Sequence, residues 1–153
     1  MNPGDQVEDF ELADQDGTPR RLSTLLADGP VVLFFYPAAM TGGCTQEACH
    51  FRDLSAEFAE LGARPVGISP DGVSKQRTFS STHAFGYPLL SDAGGEVAKR
   101  FGAWRKLLPL HTKRKTFVIG QDRRVLEVIK SETRFDRHAD EALRVLRDHQ
   151  ASV

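Results

Sequence analysis

VVLFFYPAAMTGGCTQEACHFRD, residues Val31 to Asp53, is the stretch whose reading decides the fold. Its first six residues are apolar or aromatic throughout, the pattern of a central strand covered on both faces. The run breaks at Pro37, passes Gly42-Gly43 and delivers Cys44 into the first turn of a predicted helix. From Thr45 onward apolar residues recur at three- and four-residue intervals (Ala48, Phe51, Leu54, Phe58, Leu61), and Gly62 ends the helix. A buried strand, a tight turn and a helix start bearing a thiol thus lie at the centre of the chain.

On the N-terminal side, Phe10, Leu12 and Leu22 flank the polar turn Asp14-Gln15-Asp16-Gly17, a hairpin signal, and Ser23 is placed to cap a short turn through Leu26. On the C-terminal side, Arg64 to Ser69 reads as a strand and Ser74 to Ala84 as a helix. Tyr87 to Leu90 is a brief strand, and Ser91 or Asp92 can cap a helix holding Val97, Ala98 and Phe101. Lys115 to Ile119 and Val125 to Ile129 form a second hairpin, and a final helix spans Asp136 to Asp148. The order is hairpin, β, α, β, α, β, α, β, β, α. It predicts an α/β fold with a central mixed β-sheet flanked by helices, and it suits a thioredoxin-like fold with an N-terminal β-hairpin extension.

Residues 1–153, 40% hydrophobic, fit a single domain that needs no metal or disulfide to close its core. Twenty basic and twenty-one acidic side chains leave a formal net charge of -1, so no global field attracts nucleic acid or an anionic membrane. The acidic, polar start lacks a secretory pattern, and no apolar run approaches the ~20 residues of a membrane span. A cytoplasmic location is expected, where a permanent structural disulfide is not.

Cys44 and Cys49 are the only cysteines. An ordinary thiol is about 3% ionised at pH 7, so a nucleophilic cysteine needs help. A helix start supplies unpaired N–H groups and the positive end of the macrodipole. Thr41 can add a hydroxyl donor, Gly42 and Gly43 permit close backbone approach, and Pro37 can shield the site. Five residues along a helix amount to about 7.5 Å of rise and ~140° of rotation, so an intact helix keeps the sulfurs apart and an unwound one lets them meet. Burial as small hydrophobes is the competing reading, stronger for Cys49 than for Cys44. Two cysteines and His50 are too few for a zinc site, and C-x4-C-H lacks the C-x-x-C-H spacing of haem attachment.

Pro37-Ala-Ala-Met-Thr41-Gly-Gly-Cys44 resembles the peroxiredoxin active-site signature P-x-x-x-T-x-x-C. Cys44-Thr-Gln-Glu-Ala-Cys49 with Phe51-Arg52-Asp53 looks like the bacterioferritin-comigratory-protein (PrxQ) subfamily, and the likeness extends through DFEL, DQDG, Leu89 to Asp92, Phe101-Gly102 and Arg114-x-Thr116-Phe117. The resemblance implies Cys44 as peroxidatic nucleophile and Cys49 as resolving thiol. It also implies Pro37, Thr41 and Arg114 around the peroxide and Glu47 close by. Two departures stand out: Gly42 replaces the usual proline, and Ile119-Gly120 stands where aspartate is common.

The resulting expectation is a thiol peroxidase that reduces hydrogen peroxide and organic hydroperoxides. It would pass through a Cys44 sulfenic acid and a Cys44–Cys49 disulfide recycled by thioredoxin or a similar dithiol, in antioxidant defence. No metal, haem or flavin is implied, nor a nucleic-acid or membrane partner, and a monomer or weak homodimer is expected. The other class that uses the same thiols is a redox sensor without steady-state turnover. A general thiol–disulfide oxidoreductase is disfavoured by the missing C-x-x-C. The five histidines receive no role, and Trp104, Leu107 and Leu108 are read as exposed apolar residues over the site or in an interface.

Overall fold

The Asp14 to Gly17 turn closes a hairpin of β1 (Glu11–Ala13) and β2 (Pro19–Arg21). Asp14 Oδ1 accepts from the N–H groups of Asp16 and Thr18 at 2.8 and 3.0 Å, so the aspartate shapes its own turn. The short helix α1 (Leu22–Leu25) follows, but Ser23 does not cap it. Both the N–H and the hydroxyl of Ser23 donate to the Asp9 carboxylate, at 2.9 and 2.8 Å, which ties this turn to the preceding chain.

The apolar run becomes β3 (Val31–Phe35), buried at every position, and leads through a loop into α2 (Gly42–Asp53). The single helix expected through Leu61 is two helices. It breaks at Leu54 before α3 (Ser55–Glu60), where the Ser55 hydroxyl donates back to the Phe51 carbonyl at 3.2 Å. Gly62, at φ 73°, ends α3 with the paired bonds of a Schellman motif, Gly62 N–H to Ala59 and Ala63 N–H to Phe58. Then come β4 (Arg64–Ser69), α4 (Val73–His83), β5 (Leu89–Ser91) and α5 (Glu96–Arg100). The N-cap of α5 is Gly95 rather than Ser91 or Asp92, but the Asp92 carboxylate still accepts from the first-turn N–H groups of Val97 and Ala98. The chain closes with β6 (Lys115–Ile119), β7 (Val125–Lys130) and α6 (Arg137–Ala151).

This computed structural model describes residues 1–105 and 112–151, so the reading of Leu107 and Leu108 lies outside the described residues. Trp104 is half-buried rather than exposed, packed against the core with Lys99 Nζ 5.2 Å from its ring. No helix among the described residues is long and apolar enough to cross a membrane.

The five-stranded sheet has the order β5-β4-β3-β6-β7, with β3, β4 and β5 parallel and β6 antiparallel to both neighbours. The fold is thioredoxin-like, as the element order predicts. Successive β3 residues point to opposite faces, so each face builds its own core. Val32, Phe34 and Tyr36 pack with α2 and α6, whereas Val31, Leu33 and Phe35 pack with Leu22, Phe101 and Phe117. Phe34 stacks on Phe51 of α2 with ring centroids 4.2 Å apart, and burying each such ring contributes about 1.5–3 kcal/mol. That stack holds α2 against the sheet.

Candidate active site

Two sequence-distant segments meet because β6 runs antiparallel to β3. Lys115 pairs with Phe35, which sets Arg114 beside the end of β3, where the chain turns toward α2. The loop between is braced from β4. Asp71 Oδ2 accepts from the Ala39 N–H at 2.6 Å and from the Ser69 hydroxyl at 2.7 Å, and Gln76 links Ser69 to the Tyr36 hydroxyl. Met40 occupies left-handed backbone at φ 69°, a strained setting for a residue with a side chain, and is exposed.

Thr41 is the N-cap of α2, with an extended φ of -86° and ψ of 156°. Its hydroxyl donates to the Ala38 carbonyl at 2.7 Å and makes no cap bond to the helix. Cys44, the third residue of α2, is 1% exposed and sits among the free N–H groups of the first turn. Arg114 Nη2 donates to Cys44 Sγ at 3.4 Å, and Nη1 donates to Glu47 Oε1 at 2.9 Å. One guanidinium therefore faces both the thiol and a carboxylate one turn further along the same helix. Arg114 Nε is buried with no hydrogen-bond partner among the described residues. Phe135 covers the guanidinium, its ring centroid 4.7 Å from Cζ. A Cβ built on Gly43 would lie 2.6 Å from Phe135 Cζ and 3.3 Å from Arg114 Nη2, so this glycine leaves room for both.

Glu47 has no exposed surface, and burial, the largest influence, pushes its carboxyl up to about 8 against the pull of Arg114. Cys49 is half-buried against the same core, and both cysteines are free thiols. α2 is an unbroken helix across both of them, so they stand apart as the spacing predicts. Further contacts hold this helix: Tyr87 hydroxyl to Ala48 carbonyl at 2.6 Å, Arg52 to His83 carbonyl at 2.8 Å, and His50 Nε2 to Asp140 at 2.7 Å.

Of the residues singled out by sequence, Cys44, Glu47 and Arg114 are thus in direct contact, while Pro37 and Thr41 lie on the loop that leads to them. Phe135 and His138 were missed. His138 shares a helical face with Ala142 and Leu146, a spacing that marks it as buried, whereas nothing local marks Phe135. No group of His, Cys, Asp or Glu among the described residues could hold a metal ion.

Residues 3–128 match the model of the AhpC/TSA family. The chain is similar to peroxidoxin BcpB from Mycobacterium tuberculosis, whose crystal structure superposes with a TM-score of 0.93 at 64% identity over 97% of each chain. It is also similar to a PrxQ variant from Xylella fastidiosa, at a TM-score of 0.90 and 29% identity over 98% of each chain. The chloroplastic peroxiredoxin Q of Arabidopsis thaliana is 37% identical over 147 residues, 96% of this chain and 68% of that protein.

Proposed function

The chain belongs to the AhpC/TSA family, among its PrxQ-type peroxiredoxins, and we propose that it reduces hydroperoxides through Cys44 and resolves through Cys49. The contact of Arg114 with Cys44 Sγ at a helix start carries this reading. A thiolate there faces a fixed cation and free N–H groups, and attacks the distal oxygen of the O–O bond. The S–O bond forms as the O–O bond breaks. The peroxide's proton and the electron pair of the O–O bond leave with the other oxygen as water or alcohol, and the sulfenate left on Cys44 takes a proton from solvent to become a sulfenic acid. Arg114 Nε is the uncommitted donor for the peroxide, while Pro37 and Thr41 shape the loop around it. Glu47 holds the other arm of Arg114.

α2 then opens, and the Cys49 sulfur displaces the hydroxyl of Cys44 as water, giving the disulfide. A thioredoxin-type dithiol returns both thiols by exchange. The setting proposed is the cytoplasm, with a monomer or weak homodimer as the working form. Mass spectrometry after one equivalent of hydrogen peroxide tests the scheme. The wild-type protein is expected to lose two hydrogens and carry a Cys44–Cys49 linkage. Cys49→Ser is expected to gain one oxygen at Cys44, trappable by dimedone. No trappable oxygen in that variant removes Cys49 from the resolving role.

Gly42 sets how readily α2 opens. It is the first helical residue, a Cβ there would meet nothing within 4 Å, and Thr41 before it already has the extended backbone a following proline demands. Gly42→Pro therefore fits the closed helix and stabilises it by about 0.4–1 kcal/mol. Disulfide formation after stoichiometric peroxide is expected to slow by roughly two- to fivefold. A rate at or above that of the wild-type protein would show that this turn does not gate opening.

A further inference from the structure

His138 is a buried titratable group that the scheme above does not use. It lies in the first turn of α6, has no exposed surface and joins three elements. Nε2 lies 2.8 Å from the Ser131 carbonyl, which can only accept, so Nε2 carries a proton. Nδ1 then accepts from the Thr116 hydroxyl of β6 at 2.7 Å. Burial pulls the imidazole below its ordinary value, in keeping with this neutral form.

The same Nε2 lies 3.5 Å from Glu47 Oε2. That oxygen is buried and makes no hydrogen bond among the described residues, while its twin, Oε1, accepts from Arg114. A line of close contacts thus runs from His138 through Glu47 and Arg114 to Cys44. The other charges that face His138 are Arg114, Glu132 between β7 and α6, and Arg137 on its own helix. The Nε2–H is committed to Ser131, yet its positive edge lies beside Oε2, and in a buried setting such a dipole favours one carboxylate orientation and the ionised form.

We propose that His138 is a positioning residue for the peroxide reaction: its imidazole, anchored on Ser131 and Thr116, sets the positive edge of its Nε2–H against the free oxygen of Glu47 and so fixes the carboxylate that aims Arg114 at Cys44. The proposal rests on the peroxidase reading.

The test compares His138→Phe and His138→Gln, alone and combined with Glu47→Gln. Readouts are kcat/KM for hydrogen peroxide across pH and the melting temperature. His138→Phe, which withdraws the donor, is expected to lower kcat/KM about tenfold, and His138→Gln, which can restore an N–H at the Nε2 position, to recover most of it. With Glu47→Gln in place, His138→Phe is expected to add less than about a twofold loss. The Glu47 limb of the profile, near pH 8, moves upward in His138→Phe, because the ionised carboxylate has lost the positive edge of the imidazole beside it. If His138→Phe does not fold, His138→Asn replaces it, keeping a partner for Thr116 but falling short of Glu47.

A rate for the phenylalanine or asparagine variant within twofold of wild type overturns the proposal. So does an equal loss with and without Glu47→Gln, which would mark a purely structural role. Cys44→Ser is run in parallel: if it still turns over, the peroxidase reading falls and the proposal with it. If it is dead while His138→Phe stays fast, only the proposal falls.

Discussion

Cys44→Ser is expected to take steady-state peroxide consumption to the uncatalysed background, a loss of roughly 10⁴-fold or more. The substitution exchanges one atom and leaves the surroundings in place, since Cys44 is buried at the start of α2 with Arg114 Nη2 3.4 Å away. A serine hydroxyl stays protonated beside the same arginine, so the site keeps its cation and helix start but has neither the thiolate charge nor a nucleophile. Peroxide consumption with excess dithiol is the measurement, and retained turnover would refute the assignment. The wild-type result in the same assay separates enzyme from sensor, because a sensor stops after one equivalent.

The second large effect is expected at Arg114. Its guanidinium reaches Cys44 with one terminal nitrogen and Glu47 with the other, under the ring of Phe135. Arg114→Lys keeps the charge but not the planar fork, so an ammonium can serve one partner only by leaving the other. Glu47 would be left buried with both oxygens unpaired, since Oε2 already lacks a hydrogen bond among the described residues. A loss of roughly 10²- to 10³-fold in kcat/KM is expected, the usual cost of removing one fixed donor from a developing negative charge. A drop smaller than about threefold would show that charge alone suffices.

The parts of this site that were legible in the sequence are local ones. Val31 to Tyr36 announces a central strand because no polar residue interrupts it, and Gly42-Gly43-Cys44 announces a helix start because glycine admits close approach. Arg114 was found only through its resemblance, since next to Lys113 and Lys115 it looks like one more surface charge. It is 6% exposed because antiparallel pairing carries it to the end of β3, a fact no window of sequence contains. The contact of His138 with Glu47 spans most of the chain and escaped for the same reason. The break at Leu54 was missed because apolar periodicity continues across it, while a serine hydroxyl competes for the backbone. Trp104 escaped because its flanking residues give no period, and its burial comes from packing against the second core.

The stack of Phe34 on Phe51 bears on timing. Phe51 is fully buried two residues beyond Cys49, so under the proposed opening the part of α2 that comes loose ends before that ring. The loosened segment is then only a few residues long, with both sulfurs inside it. Loops of about ten residues close in ~10–100 ns, far faster than any encounter with a second peroxide molecule. In the proposed cycle, the Cys49 sulfur therefore meets Cys44 soon after the helix opens. Under that proposal, overoxidation of Cys44 to the irreversible sulfinic acid is set in the interval before opening, by a race between helix unwinding and the local peroxide concentration.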